Sequence, residues 1–322
     1  MARKARLKLA NAIYHIYQHG MYEINLFNDD QDKEYFLYLI KKYKYIYKVK
    51  IFAYCIMTTH FHILINPNCA DISKVMHSIN QCYAQYYNKK YKRKGHVFSS
   101  RFESKIAHDN KGILIMSAYI HNNPKDIESY TRRVEEYPFS SFGIYANKFK
   151  DKYQIIDQDF LLNYYYQGNE FYKNINKTKE TYCMFIKKLY PSHYDDFSFD
   201  KLVKVSEDII ESQTKNKFVI NENSFGINNS FNKDRFDDVK RDMDPAKIID
   251  KLSKHPYFAK KDTIYKSICI FIIRCLSNIS YSDAAVYFNN ISPSYLSRLC
   301  NKGYDLMTTN TNYEKIIDSF IC

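Results

Sequence analysis

Residues 57–65 read M-T-T-H-F-H-I-L-I. Side chains alternate faces along a β-strand, so an apolar run of this kind sorts its residues into two sets. His60 and His62 share one face, and Phe61, Ile63 and Ile65 turn the other way, into a core. Two neighbouring imidazoles can share a cation. The same pair also fits ordinary structural histidines, and a metal site needs a further ligand from elsewhere in the chain.

The flanking sequence supplies partners for that strand. Residues 49–57, V-K-I-F-A-Y-C-I-M, are rich in β-formers and pair with 60–66 through the short Thr58-Thr59 connection. Upstream, 12–18, A-I-Y-H-I-Y-Q, reads as a first strand. Asn28, Asp29 and Asp30 offer N-cap chemistry before Phe36, Leu39, Ile40 and Tyr43, which recur at helical spacing. Downstream, Asp71 caps a second helix with the stripe Ile72, Val75, Met76, Ile79 and Tyr83. Residues 96–108 read as extended, and Asp109 or Asn110 caps a third helix to about Asn122. The order β-α-β-β-α-β followed by a helix predicts an α+β fold. Its core is a ferredoxin-like antiparallel sheet with helices on one face, over residues 1–150.

The rest of the chain changes character. Residues 151–190 predict a helical, aromatic-rich extension, and 191–243 a polar linker. Residues 244–322 form an all-α unit. Asp262 caps an apolar helix from Ile264 to Leu276; S-Y-S-D-A-A-V-Y-F, the turn N-N-I and S-P-S-Y-L-S-R-L follow. Ser292 is a good N-cap and Pro293 fits the first helical position. Two short helices around a tight turn resemble a helix-turn-helix, with Tyr295 and Arg298 placed to touch DNA. A generic helical bundle is the plainer reading.

The 322 residues carry a net charge of +13, from 48 Lys and Arg against 35 Asp and Glu. Such a surplus points to a polyanionic partner, although a genome biased towards Lys, Asn, Ile and Tyr codons gives the same signature. The eight cysteines contain no C-x-x-C pair, which argues against a zinc ribbon or a thioredoxin-type motif and fits a reducing cytoplasm. The basic N-terminus lacks an apolar signal core. The longest apolar stretch, Ile268 to Ile273, is too short to span a bilayer. A cytoplasmic protein with no membrane partner is expected.

Two further stretches bear chemistry. In the third helix, G-I-L-I-M-S-A-Y-I-H-N-N-P-K, Tyr119 and Asn123 lie one turn apart and share a face. A phenol can act as a nucleophile and an amide oxygen can ligate a cation. Both can also be plain helix-surface residues. The run Y-Y-N-K-K-Y-K-R-K-G-H-V-F-S-S-R-F-E-S-K interleaves Lys89, Lys90, Lys92, Arg93, Lys94, Arg101 and Lys105 with Tyr87, Tyr91, Phe98 and Phe102. Cations bind phosphates and flat rings can stack on unpaired bases; a solvated basic loop is the alternative.

Four motifs together, C-I-M-T-T-H-F-H-I-L-I, G-H-V-F-S-S-R-F-E-S-K, Y-I-H-N-N-P and Y-P-F-S-S-F, resemble the REP-associated tyrosine transposases. These are a branch of the HUH single-tyrosine transposases, and the resemblance spans roughly residues 8–147. It implies the HUH version of the ferredoxin-like fold. It further implies a divalent cation, Mg or Mn, on His60, His62 and Asn123, and Tyr119 as nucleophile. The implied activity is cleavage and transfer of single-stranded or hairpin DNA through a 5′-phosphotyrosine link, by a monomer or a homodimer. The chain departs from the family pattern at His19-Gly20, where Arg-Gly is frequent, and after Pro124, where K-D-I-E stands. Two rival readings are a non-catalytic, sequence-specific DNA-binding regulator with an idle HUH fold and a metal-dependent nuclease.

Overall fold

The computed structural model describes residues 12–166 apart from 23, 69, 108 and 109; 175–188; 243–310 apart from 259–261 and 278; and Tyr313, Ile316 and Phe320. Asp109 and the expected linker, except Met243, lie outside the described residues. The first part runs β1 (Ile13–His19), α1 (Asp30–Tyr47), β2 (Lys50–Ile56), β3 (His60–Asn66), α2 (Ile72–Lys90), β4 (Glu103–Ala107) and α3 (Asn110–Asn122). Asp29 caps α1 by accepting from Asp32 N, and Asp71 caps α2 by accepting from Ser73 N. Of the extended stretch expected at 96–108, only β4 is a strand; before it the chain runs along the end of β1 through a Gly20–Phe98 bridge and a bond from Ser99 N to His19 O at 3.2 Å.

The four strands lie in the order β2-β3-β1-β4, all neighbours antiparallel. This is the ferredoxin-like arrangement. Its register defines two faces. Tyr14, Ile16, Phe61 and Ile63 turn to the first face, where α1 and α2 pack. There the Phe36 ring lies 4.6 Å from Phe61 and 5.2 Å from Tyr83. The second face carries His15, Tyr17, His60 and His62, but also Ala53, Cys55 and Leu64, which are fully buried. That apolar end demands cover, and α3 supplies it from the side opposite α1 and α2. The expectation of helices on one face therefore holds for α1 and α2 and fails for α3.

The open edge of β2 is sealed. Ile56 N donates to Phe139 O and Ser141 N to Tyr54 O, both at 2.9 Å, and Tyr54 N donates to Ser141 Oγ at 2.8 Å. The Y-P-F-S-S-F segment thus occupies hydrogen bonds that an edge strand otherwise exposes. It leads into the short helix α4 (Phe142–Tyr145). Helices α5 (Gln158–Tyr166) and α6 (Ile175–Lys188) follow. Phe160 stacks on Phe52 of β2 at 4.1 Å. Tyr182 of α6 is fully buried; its hydroxyl donates to Ser117 Oγ at 3.0 Å and lies 3.1 Å from His121 Nδ1. Asn122 Nδ2 donates to Ile186 O at 3.1 Å. Together these contacts hold α3 from behind.

The C-terminal helices are α7 (Pro245–Ser253), α8 (Thr263–Leu276), α9 (Tyr281–Ala284) and α10 (Pro293–Thr309). As the sequence predicts, Asp262 caps α8 and Ser292 caps α10 with Pro293 in its first turn. Ile268 through Ile273 are all fully buried, because α8 is packed between α10, α7 and α1. At Gly303 of α10 a Cβ would fall 2.2 Å from Ser267 O, so only glycine permits this helix approach. The unit rests on α1: Lys42 Nζ donates to Asn301 Oδ1 at 2.6 Å, Arg274 Nη2 to the Tyr47 hydroxyl at 3.0 Å, and Phe271 stacks on Tyr45 at 5.7 Å. Among the described residues no helix is long and apolar enough to cross a membrane.

Candidate active site on the second sheet face

The His60–Phe61–His62 alternation works as the sequence predicts. Phe61 is buried among α1 side chains, and the two imidazoles sit on the second face with ring centroids 5.0 Å apart. Strand β1 lies alongside, and its register sets Tyr17 opposite His62 and His19 opposite His60. His62 Nδ1 meets His15 Nε2 at 2.9 Å, and the His19 ring lies 4.8 Å from that of His60.

Helix α3 brings Tyr119 over this cluster. The half-buried phenol ring meets His62 edge-on at 5.4 Å and His15 at 5.5 Å. Asn123 stands just past the end of α3, in a 3-10 turn begun with Pro124. Its Nδ2 donates to Tyr119 O at 2.8 Å. A carbonyl only accepts, so the amide nitrogen is committed there and the oxygen is free to face His60. The Asn123 side chain lies close enough to the His60 imidazole to favour its charged form. The structure thus brings His60, His62, Tyr119 and Asn123 together.

Burial shapes the charge of the cluster. It holds His60 down to about 4, with the nearby His19 adding to the effect and Asn123 opposing it. Burial, then the other imidazoles, keeps His62 well below the usual histidine range. Burial, then Lys105, takes His15 to about 3. At neutral pH these imidazoles are uncharged, which is the form that ligates a metal. Burial and then Asp126 push the Tyr119 phenol up.

Among the described residues no three His, Cys, Asp or Glu side chains are grouped to hold a metal. The donors that converge are two imidazole nitrogens and one amide oxygen, from His60, His62 and Asn123. They fit a divalent cation that keeps open positions for oxygen ligands, and the nitrogen pair suits Mn better than Mg.

Sequence reading missed four neighbours. His15, Tyr17, His19 and Glu103 all turn to this face, and the Tyr17 hydroxyl donates to Glu103 Oε2. The signal was present in β1: positions 15, 17 and 19 spell H-x-Y-x-H, the same alternation as in β3. His121, adjacent in sequence, is not part of the site. It is fully buried behind α3, with Nε2 2.9 Å from Ser141 Oγ.

The basic run divides. Lys105 lies on β4 opposite His15, on the face of the site. Arg101, Lys89, Lys92 and Lys94 are exposed, and Arg93 is half-buried over the Tyr87 ring at 5.9 Å. Lys90 differs: its ammonium contacts Asp29 Oδ2 and Asp32 Oδ1, each at 2.7 Å, so its charge is already matched. The rings do not form a stacking platform. Tyr87 and Phe102 are buried, and Tyr91 and Phe98 pack half-buried against the core. In a run this rich in tyrosine, the apolar positions of α2 take the rings and leave the cations outside. Tyr295 and Arg298 are exposed on α10, with the guanidinium 5.3 Å from the ring. They belong to the unit resting on α1, across the sheet from Tyr119.

The sequence model of one family, described as IS200-like transposases, spans β1 through the end of α3 and includes His60, His62, Tyr119 and Asn123. Residues 8–123 match the IS200-like transposase family. No curated protein matches the chain. A solved REP-associated tyrosine transposase bound to a REP hairpin aligns over 46% of this chain and 87% of that chain, at 16% identity and a TM-score of 0.40. The IS200-like transposase match ends where α3 ends, so α4 to α10 lie beyond it.

Proposed function

We propose that this chain cuts and rejoins single-stranded DNA through a covalent tyrosine link. The observation that carries the reading is the convergence of the Tyr119 phenol with the imidazoles of His60 and His62 and the Asn123 amide on one sheet face. A divalent cation, Mg or Mn, bound by His60, His62 and Asn123 would polarise the scissile phosphate. Tyr119 attacks the phosphorus; its Oη–P bond forms as the P–O3′ bond breaks, leaving a 5′-phosphotyrosine and a free 3′-hydroxyl. Attack by another 3′-hydroxyl reverses the step and joins strands without a nucleotide cofactor. Lys105, on the face of the site, suits a flanking phosphate, as does the exposed Arg101 just before β4.

In this reading residues 244–322 hold the DNA rather than cut it. The α9–turn–α10 segment carries Asn289 and Asn290 in the left-handed conformation, and α10 presents Tyr295 and Arg298 to solvent. These features support reading the segment as a helix-turn-helix that contacts duplex or hairpin DNA.

Incubation with short single-stranded oligonucleotides able to form hairpins, with Mn or Mg, tests the proposal on a denaturing gel. A covalent protein–DNA adduct is expected from the native chain and none from Tyr119→Phe, which should still bind DNA. Cleavage without an adduct would instead indicate a nuclease, and binding without cleavage a regulator.

A further inference from the structure

The basic run before β4 turns its rings inward: Tyr87 and Phe102 are buried, and Tyr91 and Phe98 pack half-buried against the core. A single strand calls for both kinds of contact, because its phosphates seek positive charge and its unpaired bases seek a flat apolar surface. An exposed ring beside those cations comes from another part of the chain, the loop that leaves β1.

β1 ends at His19, whose ring lies 4.8 Å from that of His60. The loop beyond it is pinned on two sides. Gly20 N donates to Thr59 O and Phe27 N to Thr58 O, both at 2.9 Å, in the turn just before His60. Met21 N donates to Val97 O at 2.9 Å, and Ser99 N to His19 O at 3.2 Å. The 97–100 stretch is itself propped from beneath: Asn80 Nδ2 donates to Gln18 Oε1 at 2.6 Å, and Gln18 Nε2 to Ser100 O at 2.7 Å. A turn closed by Ile24 N on Met21 O at 3.2 Å carries Tyr22 within it.

On this fixed backbone Tyr22 is 88% exposed, and Met21 is exposed beside it. A ring held out so far adds almost nothing to the core. Across the Met21–Val97 bond, the facing stretch exposes Lys94, His96, Ser99 and Arg101. Cations and an open ring thus share one rim, bonded to the turn that leads into His60.

We propose that this rim seats the unpaired nucleotides next to the cut, with a base stacked on Tyr22 and the adjoining phosphates on Lys94 and Arg101. The inference rests on the Tyr119 face being where DNA is cut, and it names the part of the substrate held beside that face. Stacking tolerates every base, so Tyr22 supplies grip without choosing a sequence. A paired base keeps its faces inside the duplex, so the rim selects strands that are already open.

Anisotropy titrations with two hairpins of the same stem test this, one blunt and one with unpaired flanks. Tyr22→Ala should weaken binding of the flanked hairpin by about 5–100-fold and leave the blunt one unchanged. The loss should be the same at every salt concentration, because a stacked ring releases no counterion. Tyr22→Phe keeps the ring and should restore the affinity. With 2-aminopurine, whose emission falls on stacking, placed in turn at each unpaired position, one position near the cut should be quenched by the native chain and not by Tyr22→Ala. The urea midpoint of Tyr22→Ala should match the native one, since the ring lies outside the core.

Native affinity of Tyr22→Ala for the flanked hairpin overturns the proposal, as does an equal loss on the blunt one or a failure of Tyr22→Phe to restore binding. A native chain that shows the Tyr22 effect and forms no covalent adduct overturns the nucleophile reading and leaves the seat standing. A native chain that forms the adduct and is indifferent to Tyr22 does the reverse.

Discussion

His62 Nδ1 and His15 Nε2 face each other at 2.9 Å inside the sheet. One of the two nitrogens must carry the proton. If His62 ligates a cation through Nε2, then Nδ1 is the protonated atom and His15 is its acceptor, which fixes the tautomer and the plane of the ring. His15→Phe keeps an aromatic ring and removes that acceptor. Mn affinity, measured by calorimetry without DNA, should fall by about 10–100-fold. Unchanged affinity would mean that His15 does not orient the ligand.

The cations of the basic run should not contribute alike. Lys105→Ala or Lys94→Ala should lower the slope of log affinity for single-stranded DNA against log salt by about 1 each. Lys90→Ala should leave the slope where it was, because that ammonium already meets Asp29 and Asp32. It should instead destabilise the fold, since Asp32 is fully buried. Anisotropy titrations at several salt concentrations, with a urea melt of each variant, separate the two effects.

Acid should weaken the metal-free protein before any carboxylate titrates. Burial holds His15 and His121 at about 3 and His60 at about 4, against 6.5 when exposed. Below pH 6.5 the unfolded chain therefore takes up protons that the folded chain refuses. Their stabilising contribution is complete above pH 6.5 and is lost as pH falls towards the folded values, at about 1.4 kcal/mol per pH unit for each such histidine. Urea denaturation between pH 7 and 5 should show this decline, and a flat profile would contradict it.

Tyr182→Phe tests how firmly α6 supports α3. The change removes one hydroxyl that serves both Ser117 Oγ and His121 Nδ1 in a dry environment. Leaving buried polar atoms unmatched should cost about 1–3 kcal/mol. The measurement is the urea midpoint; a shift smaller than the error would show α6 to be loosely held.

Gly303→Ala should cost roughly 1–3 kcal/mol by overpacking α10 against α8, because its Cβ has no room beside Ser267 O. Thermal unfolding of the full chain checks this.

The strands and first helices were legible because caps and apolar spacing agree there. Asp29 and Asp71 cap α1 and α2 as their positions suggest, and Ile63 and Ile65 alternate with the histidines. The second face was harder to read. Nothing local in α3 says that it crosses the sheet opposite α1 and α2; that follows from Ala53, Cys55 and Leu64 needing cover, which only the register reveals. Lys90 reads as one more cation until the fold brings it to Asp29 and Asp32, far away in sequence. Tyr17 was one tyrosine among 32, and its meaning depends on pairing with Glu103 across a long loop. The Y-P-F-S-S-F segment likewise shows its purpose only beside β2.

Asn123 hangs by its amide nitrogen from the main-chain carbonyl of Tyr119 itself. The proposed nucleophile and one proposed cation ligand are therefore leashed to a single stretch of backbone. Any tilt of α3 that withdrew the phenol from its target would drag the amide away from His60 at the same time. A half-armed state, cation gripped and nucleophile absent, is closed to a chain tied in this way.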